Sequence, residues 1–140
     1  MKTHEKKHGF LIALLFFIAI GDRITKIIAH SFLHQANIVL NDSFFSFVHV
    51  PKITALVLVG ILFFICLGWL FYTQKNKMST IALLYILLGM GSNLTDRIVY
   101  DGVIDWIVLR GISVFNIADL CIIAGVFFLF VDLFLKERNV

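Results

Sequence analysis

The stretch G102-V-I-D-W-I-V-L-R-G-I-S-V-F-N-I-A-D-L120 places two aspartates, Asp105 and Asp119, between two long apolar runs. Ionised groups are costly at such places, so the depth of these carboxylates in a bilayer decides what they can do. "VIDWIVL" and "ISVF" are β-branched and aromatic runs separated by Arg110-Gly111, a tight-turn signal. A two-residue hairpin centred there sets Asp105 opposite Asn116, with directly opposed residues about 5 Å apart. Asp119 lies about one helical turn further on, which brings it towards Asp105. Two carboxylates so close resist ionising together and share one proton at neutral pH. One then activates a water as general base, while the other, protonated, polarises a carbonyl and assists the leaving amine. That is aspartic-protease chemistry.

The rest of the chain says where this chemistry sits. Its 140 residues are 60% hydrophobic and 15% charged, with a mean hydropathy of +0.96. A soluble domain carries about 25% charged residues. We expect one integral membrane domain over residues 1–140, too short for a separate soluble module. Four apolar segments, about 9–29, 53–72, 80–100 and 117–135, each hold about the 20 residues needed to cross the hydrocarbon core. The first follows Lys2, Lys6 and Lys7 and could be read as a secretory signal. It lacks a small-residue cleavage pattern and continues through "DRITKIIA", so we read it as retained.

Seven of the 12 basic residues, Lys2, Lys6, Lys7, Lys75, Lys77, Lys136 and Arg138, fall at the two termini and in the second connection. By the positive-inside bias these three segments are cytoplasmic, and the loops at about 30–52 and 101–116 lie outside. The expected fold class is all-α and membrane-integral: a four-transmembrane-helix bundle, termini cytoplasmic, with a small extracytoplasmic β element. Topology accounts for the net charge of +3, so it carries no implication of nucleic acid. Cys66 and Cys121 lie inside apolar runs and read as small core residues, without redox chemistry. The longer outer loop is strand-like around Ile38–Leu40 and Phe44–Val50, with Asn41-Asp42 as a turn signal. His30, His34 and His49 match no helical ligand pair, so no metal site is expected.

Other polar residues gather near the same level, and we expect all ionisable residues within the helices to lie near their outer ends. Asp22, Thr25 and Lys26 share one face of the first helix. Gly89, Asn93, Asp96 and Arg97 form a stripe on the third, and Asn116 and Asp119 occupy the first turn of the fourth. Each group also has a plain structural meaning. Asp22 and Lys26 make an ordinary i,i+4 pair, leaving Lys26 without its partner if Asp22 is removed. Arg97 stands beside Asp96 and favours its charged form, which suits an orienting ion pair. Asn116 reads as a helix N-cap with Asp119 at the third helical position. Three carboxylates at one level still exceed what a purely structural bundle requires.

In order along the chain, "DRITK" (Asp22–Lys26), "LGMGSNLTDR" (Leu88–Arg97), "GVIDW" (Gly102–Trp106) and "FNIAD" (Phe115–Asp119) resemble the lipoprotein signal peptidase family, also called signal peptidase II or prolipoprotein signal peptidase. The family's motifs read D-Q-x-T/S-K, G-G-x-x-G-N-x-x-D-R, G-x-V-V-D-F and F-N-x-A-D, and the last is matched in full. The resemblance implies a bacterial inner-membrane endopeptidase, with its site at the extracytoplasmic face, that removes signal peptides before a diacylglyceryl-modified cysteine. It implies an aspartate dyad at Asp105 and Asp119, with no metal and no cofactor. It also implies that Asn93, Asp96, Arg97, Asn116, Asp22 and Lys26 shape or support the site. The partners implied are the diacylglyceryl-modified prolipoprotein, membrane phospholipid and, as inhibitor, the cyclic peptide globomycin. Arg23 stands where the family has Gln, and Leu88 and Ser92 stand where it has Gly. Asn41 is the candidate for an outer-loop N-x-G-x-x-F motif, with Ser43 in place of its Gly. The Asp105–Asp119 interval is shorter than the family pattern leads one to expect. Two other readings are open at this level: a catalytically silent relative that binds lipoprotein or lipid, and a small ion-handling channel subunit. The second predicts carboxylates near the bilayer midplane rather than at one edge.

Overall fold

The computed structural model describes residues 2–32, 39–41, 52–72, 77–109 and 113–137. Four helices, α1 (Lys2–Ser31), α2 (Lys52–Tyr72), α3 (Lys77–Tyr100) and α4 (Ile117–Glu137), coincide with the four apolar runs. Among the described residues, Ile53–Tyr72, Lys77–Tyr100 and Ile117–Leu135 are long and apolar enough to cross a membrane. Helix α1 is the longest, beginning well before the expected Gly9.

The distribution of side chains inverts that of a soluble protein. Phe17, Phe64 and Phe127 are 69%, 69% and 60% exposed, whereas Asp22 and Asp96 are 0% exposed and Lys26 1%. In water so large an apolar exterior would drive aggregation; facing lipid it is the expected surface. A small apolar core of Val59, Ile86 and Met90, flanked by Phe63, Ile122 and Leu129, lies between α2, α3 and α4.

Helices α3 and α4 make the closest pair because glycines remove side chains where their backbones meet. A Cβ at Gly89 would collide with the carbonyl oxygen of Ala118, and one at Gly125 would come within 2.6 Å of the carbonyl oxygen of Ala82. Asn93, one turn beyond Gly89, is thereby brought to the first turn of α4.

After α3 the chain reverses at Asp101, whose φ of 62° is left-handed, a conformation Asp tolerates better than most residues. Three short strands follow, with a fourth contributed by the first loop: β1 (Val39–Asn41), β2 (Val103–Asp105), β3 (Ile107–Leu109) and β4 (Ser113–Phe115). Antiparallel β1–β2 sets Val39 opposite Asp105 and Asn41 opposite Val103. Antiparallel β3–β4 pairs Ile107 with Phe115, Val108 with Val114 and Leu109 with Ser113.

That register corrects the expected hairpin. The last pair, Leu109–Ser113, encloses three residues centred on Gly111 rather than two, a shift of one position. Asp105 therefore does not face Asn116 across a ladder. It has left the hairpin to pair with β1, while Trp106 N–H still donates to the Phe115 carbonyl at 3.2 Å. Val39 and Leu40 bear out the first strand-like segment of the outer loop; Phe44–Val50, Asp42, Ser43, His34 and His49 lie outside the described residues.

A second correction concerns depth. Asp132 is buried in α4 at the end of the bundle remote from the strands, accepting a 2.6 Å hydrogen bond from Ser79 Oγ in the first turn of α3. Not every acid within the helices is at the strand end. A carboxylate against a helix's first turn is favoured by its dipole, which accounts for this one.

Candidate active site

The N-terminus of α4 organises the strand end of the bundle. Its first amides have no partner within the helix and must find acceptors elsewhere. Asn116 Oδ1 accepts from the Asp119 amide at 2.9 Å, and Asp119 Oδ2 accepts in return from the Asn116 amide at 3.1 Å. This reciprocal arrangement is a capping box. A third amide, that of Ala118, donates to Asp22 Oδ1 at 3.0 Å. Asp22 of α1 thus helps cap α4, a tie across 96 residues of sequence.

Two asparagines then aim their amide groups at Asp105 and Asp119, and neighbours that can only donate decide which way each points. Lys26 Nζ lies 2.8 Å from Asn93 Oδ1, so the Asn93 NH2 faces away and donates to Asp119 Oδ1 at 2.7 Å. The backbone amide of Asp119 occupies Asn116 Oδ1, so the Asn116 NH2 donates to Asp105 Oδ1 at 2.7 Å. The same NH2 lies 3.3 Å from Asn93 Oδ1, linking the two asparagines. Asp105 and Asp119 therefore bond to the same residue, Asn116. The proximity expected from the hairpin is realised through the helix cap instead.

Behind this pair lies an ionic cluster. Lys26 contacts Asp96 Oδ2 at 2.7 Å and Asp22 Oδ2 at 3.2 Å, and Arg23 contacts Asp96 Oδ1 at 2.6 Å. The i,i+4 pair of Asp22 with Lys26 is borne out. The cations on Asp96, however, come from α1 and not from its neighbour Arg97. Arg97 donates to the Asn93 carbonyl at 3.4 Å and sits within electrostatic reach of Asp119, Asp105 and Asp96. A helix sends adjacent residues about 100° apart, so sequence neighbours are poor candidates for a mutual ion pair. Thr25 turns its hydroxyl back to the Gly21 and Asp22 carbonyls and takes no part in the cluster. Asn41 ends β1, with its backbone opposite Val103 beside Asp105. His30 stacks on Tyr100, ring centroids 4.7 Å apart.

Arg23 and Ser92 are the members that motif reasoning missed as participants. Arg23 Nη2 donates to the Ser92 carbonyl at 2.8 Å and to Ser92 Oγ at 2.9 Å, and the Ser92 hydroxyl donates to Asp22 Oδ2. The one signal available in advance was that both depart from the motifs around them.

Known proteins resemble this chain over most of its length. Residues 13–135 match the family described as Signal peptidase (SPase) II. Proteins named lipoprotein signal peptidase from Clostridium novyi (strain NT), Syntrophus aciditrophicus (strain SB) and Tropheryma whipplei (strain Twist) are 32%, 34% and 35% identical to it. The matches cover 81%, 90% and 89% of this chain and 90%, 96% and 92% of theirs. Two solved bacterial membrane enzymes share the fold. One has a TM-score of 0.72 at 20% identity, covering 94% of this chain and 91% of the other. The second has a TM-score of 0.66 at 21% identity, covering 89% and 92%. With a match over nearly its whole length, this chain belongs to the signal peptidase II family.

Proposed function

We propose that this protein is a membrane aspartic endopeptidase that cleaves the signal peptide from prolipoproteins before the diacylglyceryl-modified cysteine, with Asp105 and Asp119 as its dyad. The observation that carries the reading is the different company the four carboxylates keep. Asp22 and Asp96 are held by Lys26 and Arg23, whereas Asp105 and Asp119 are oriented by the amides of Asn116 and Asn93. Amide donors fix where each carboxylate points, and Asn116 ties the two together.

In this reading one carboxylate removes a proton from a water as the water oxygen attacks the scissile carbonyl carbon. The other, protonated, donates to the carbonyl oxygen as charge develops there. Collapse of the tetrahedral intermediate breaks the C–N bond, and the proton gained from water passes to the departing amine. Asn116 keeps both acids in register because it bonds to each.

Four crossings with both termini cytoplasmic put this site at the extracytoplasmic face of a bacterial inner membrane, beside the phospholipid surface where a lipidated precursor is held. The basic residues of the termini and second connection support that orientation. After replacement of the two native cysteines, an impermeant thiol reagent should label Asp42→Cys from outside and leave Asn76→Cys untouched; the reverse pattern overturns it.

The test of function is a gel-shift assay on a diacylglyceryl-modified prolipoprotein. The purified protein should convert it to the shorter form, leave the unlipidated precursor intact, and be blocked by globomycin. Binding of the lipidated precursor without any conversion would rule the peptidase reading out.

A further inference from the structure

Ser92 is the point at which α1, α3 and α4 meet chemically. Its hydroxyl has one proton and two lone pairs. Arg23 Nη2 at 2.9 Å and Lys26 Nζ at 3.3 Å both approach as donors, so they occupy the lone pairs and direct the proton onto Asp22 Oδ2. Asp22 in turn receives the Ala118 amide at 3.0 Å, one residue before Asp119. From the other lone pair, Lys26 continues to Asn93 Oδ1 at 2.8 Å, and Asn93 donates to Asp119 at 2.7 Å. Two routes thus run from one hydroxyl to one carboxylate. Arg23, with a third of its side chain exposed, anchors their outer end and ties it to Asp96 at 2.6 Å and to the Ser92 carbonyl at 2.8 Å.

We propose that Arg23 and Ser92 act as one positioning unit for Asp119: the guanidinium sets the direction of the Ser92 hydroxyl, and the hydroxyl holds the Asp22 and Lys26 groups that seat the first turn of α4. The inference rests on the reading of Asp119 as a dyad member. Neither residue touches the reacting atoms. The two departures from the family's motif pattern are a single feature, because each supplies a partner to the other: without Arg23 the serine hydroxyl keeps only the longer Lys26 donor, and without Ser92 the arginine lacks the hydroxyl acceptor.

A double-mutant cycle on the purified protein tests this, using Arg23→Met, Ser92→Ala and the double variant with lipidated prolipoprotein as substrate. Each single change should lower kcat about tenfold with KM within about twofold, the signature of a slightly displaced reacting group. The double variant should also lose about tenfold rather than about a hundredfold, since both changes break the same link. Arg23→Lys should recover most of the rate, because a single nitrogen, Nη2, makes the contacts to Ser92 and Asp96. Losses that multiply, or that fall wholly in KM, overturn the proposal. If Arg23→Met does not accumulate, Arg23→Ala, which likewise removes every side-chain N–H donor, takes its place in the cycle and the same outcomes decide. Asp119→Asn, assayed alongside, separates the two levels. Wild-type turnover in that variant defeats the dyad reading itself, whereas an inactive Asp119→Asn with a multiplicative cycle defeats only the coupling of Arg23 with Ser92.

Discussion

Asp22 and Asp96 form one pair of carboxylates, and Asp105 and Asp119 another, at the same end of the same bundle. The first two are completely buried and receive Lys26 and Arg23 at 2.6–3.2 Å. The second two receive asparagine amides, each at 2.7 Å. A carboxylate clamped by buried cations is committed to its charge, since losing it would strand the partner in low dielectric. Asp105 and Asp119 are instead joined through Asn116, which bonds to each. Lys26 binds the ionic pair directly and also bonds to Asn93, which donates to Asp119. On the proposed reading, the pair joined through Asn116 does the chemistry and the pair held by Lys26 and Arg23 supports it.

The sharpest way to break this contrast is to remove ionisation from the amide-held pair. Asp105→Asn and Asp119→Asn should each abolish measurable cleavage, since loss of a positioned acid or base costs on the order of 10²–10⁴ in rate. The two differ in side effects. An asparagine at 105 can still accept from the Asn116 NH2, which preserves that bond. At 119 both oxygens already accept, from Asn93 and from the Asn116 amide. An NH2 placed there opposes one donor and should cost about 1 kcal/mol of stability. Turnover by Asp105→Asn together with a well-folded, inactive Asp96→Asn would move the dyad to Asp96 and Asp119.

The ionic pair should fail the other way, in stability more than in rate. Asp96→Asn withdraws the charge facing two cations at once and should cost about 3–5 kcal/mol, read as reduced accumulation and a lower unfolding temperature in detergent. Asp22→Ala should cost less, about 1–3 kcal/mol, chiefly through the orphaned Ala118 amide and the lost Ser92 bond. Lys26 is not stranded by that change, contrary to the simple i,i+4 picture, because Asp96 and Asn93 still hold it. Full stability with no activity in Asp22→Ala would instead give Asp22 a direct part in the reaction.

Much of this was legible in the residues alone. Apolar runs of about 20 residues mark the helices because bilayer thickness and helical rise leave little choice of length. "FNIAD" marks the start of α4, since Asn at the cap and Asp three residues later satisfy each other locally. An expected hairpin pairing and the motifs "GVIDW" and "FNIAD" single out Asp105 and Asp119 in the sequence. All of these depend on contacts within a few residues, or on the solvent as a whole.

What only the tertiary structure decided involves partners far apart in the chain. The β3–β4 register lies one position from the expected hairpin, and β2 leaves that hairpin to pair with β1, whose residues come from a different loop. The partners of Asp96 proved to be Arg23 and Lys26, 73 and 70 positions away, and those of Asp22 included Ser92 and Ala118. Asp132 entered the account only when α3 brought Ser79 against it. Local sequence sets which groups must find a partner. Which partner each finds depends on the close approach of α3 to α4 at Gly89, and on α1 lying against both, because a buried polar group bonds to whatever the packing brings within about 3 Å.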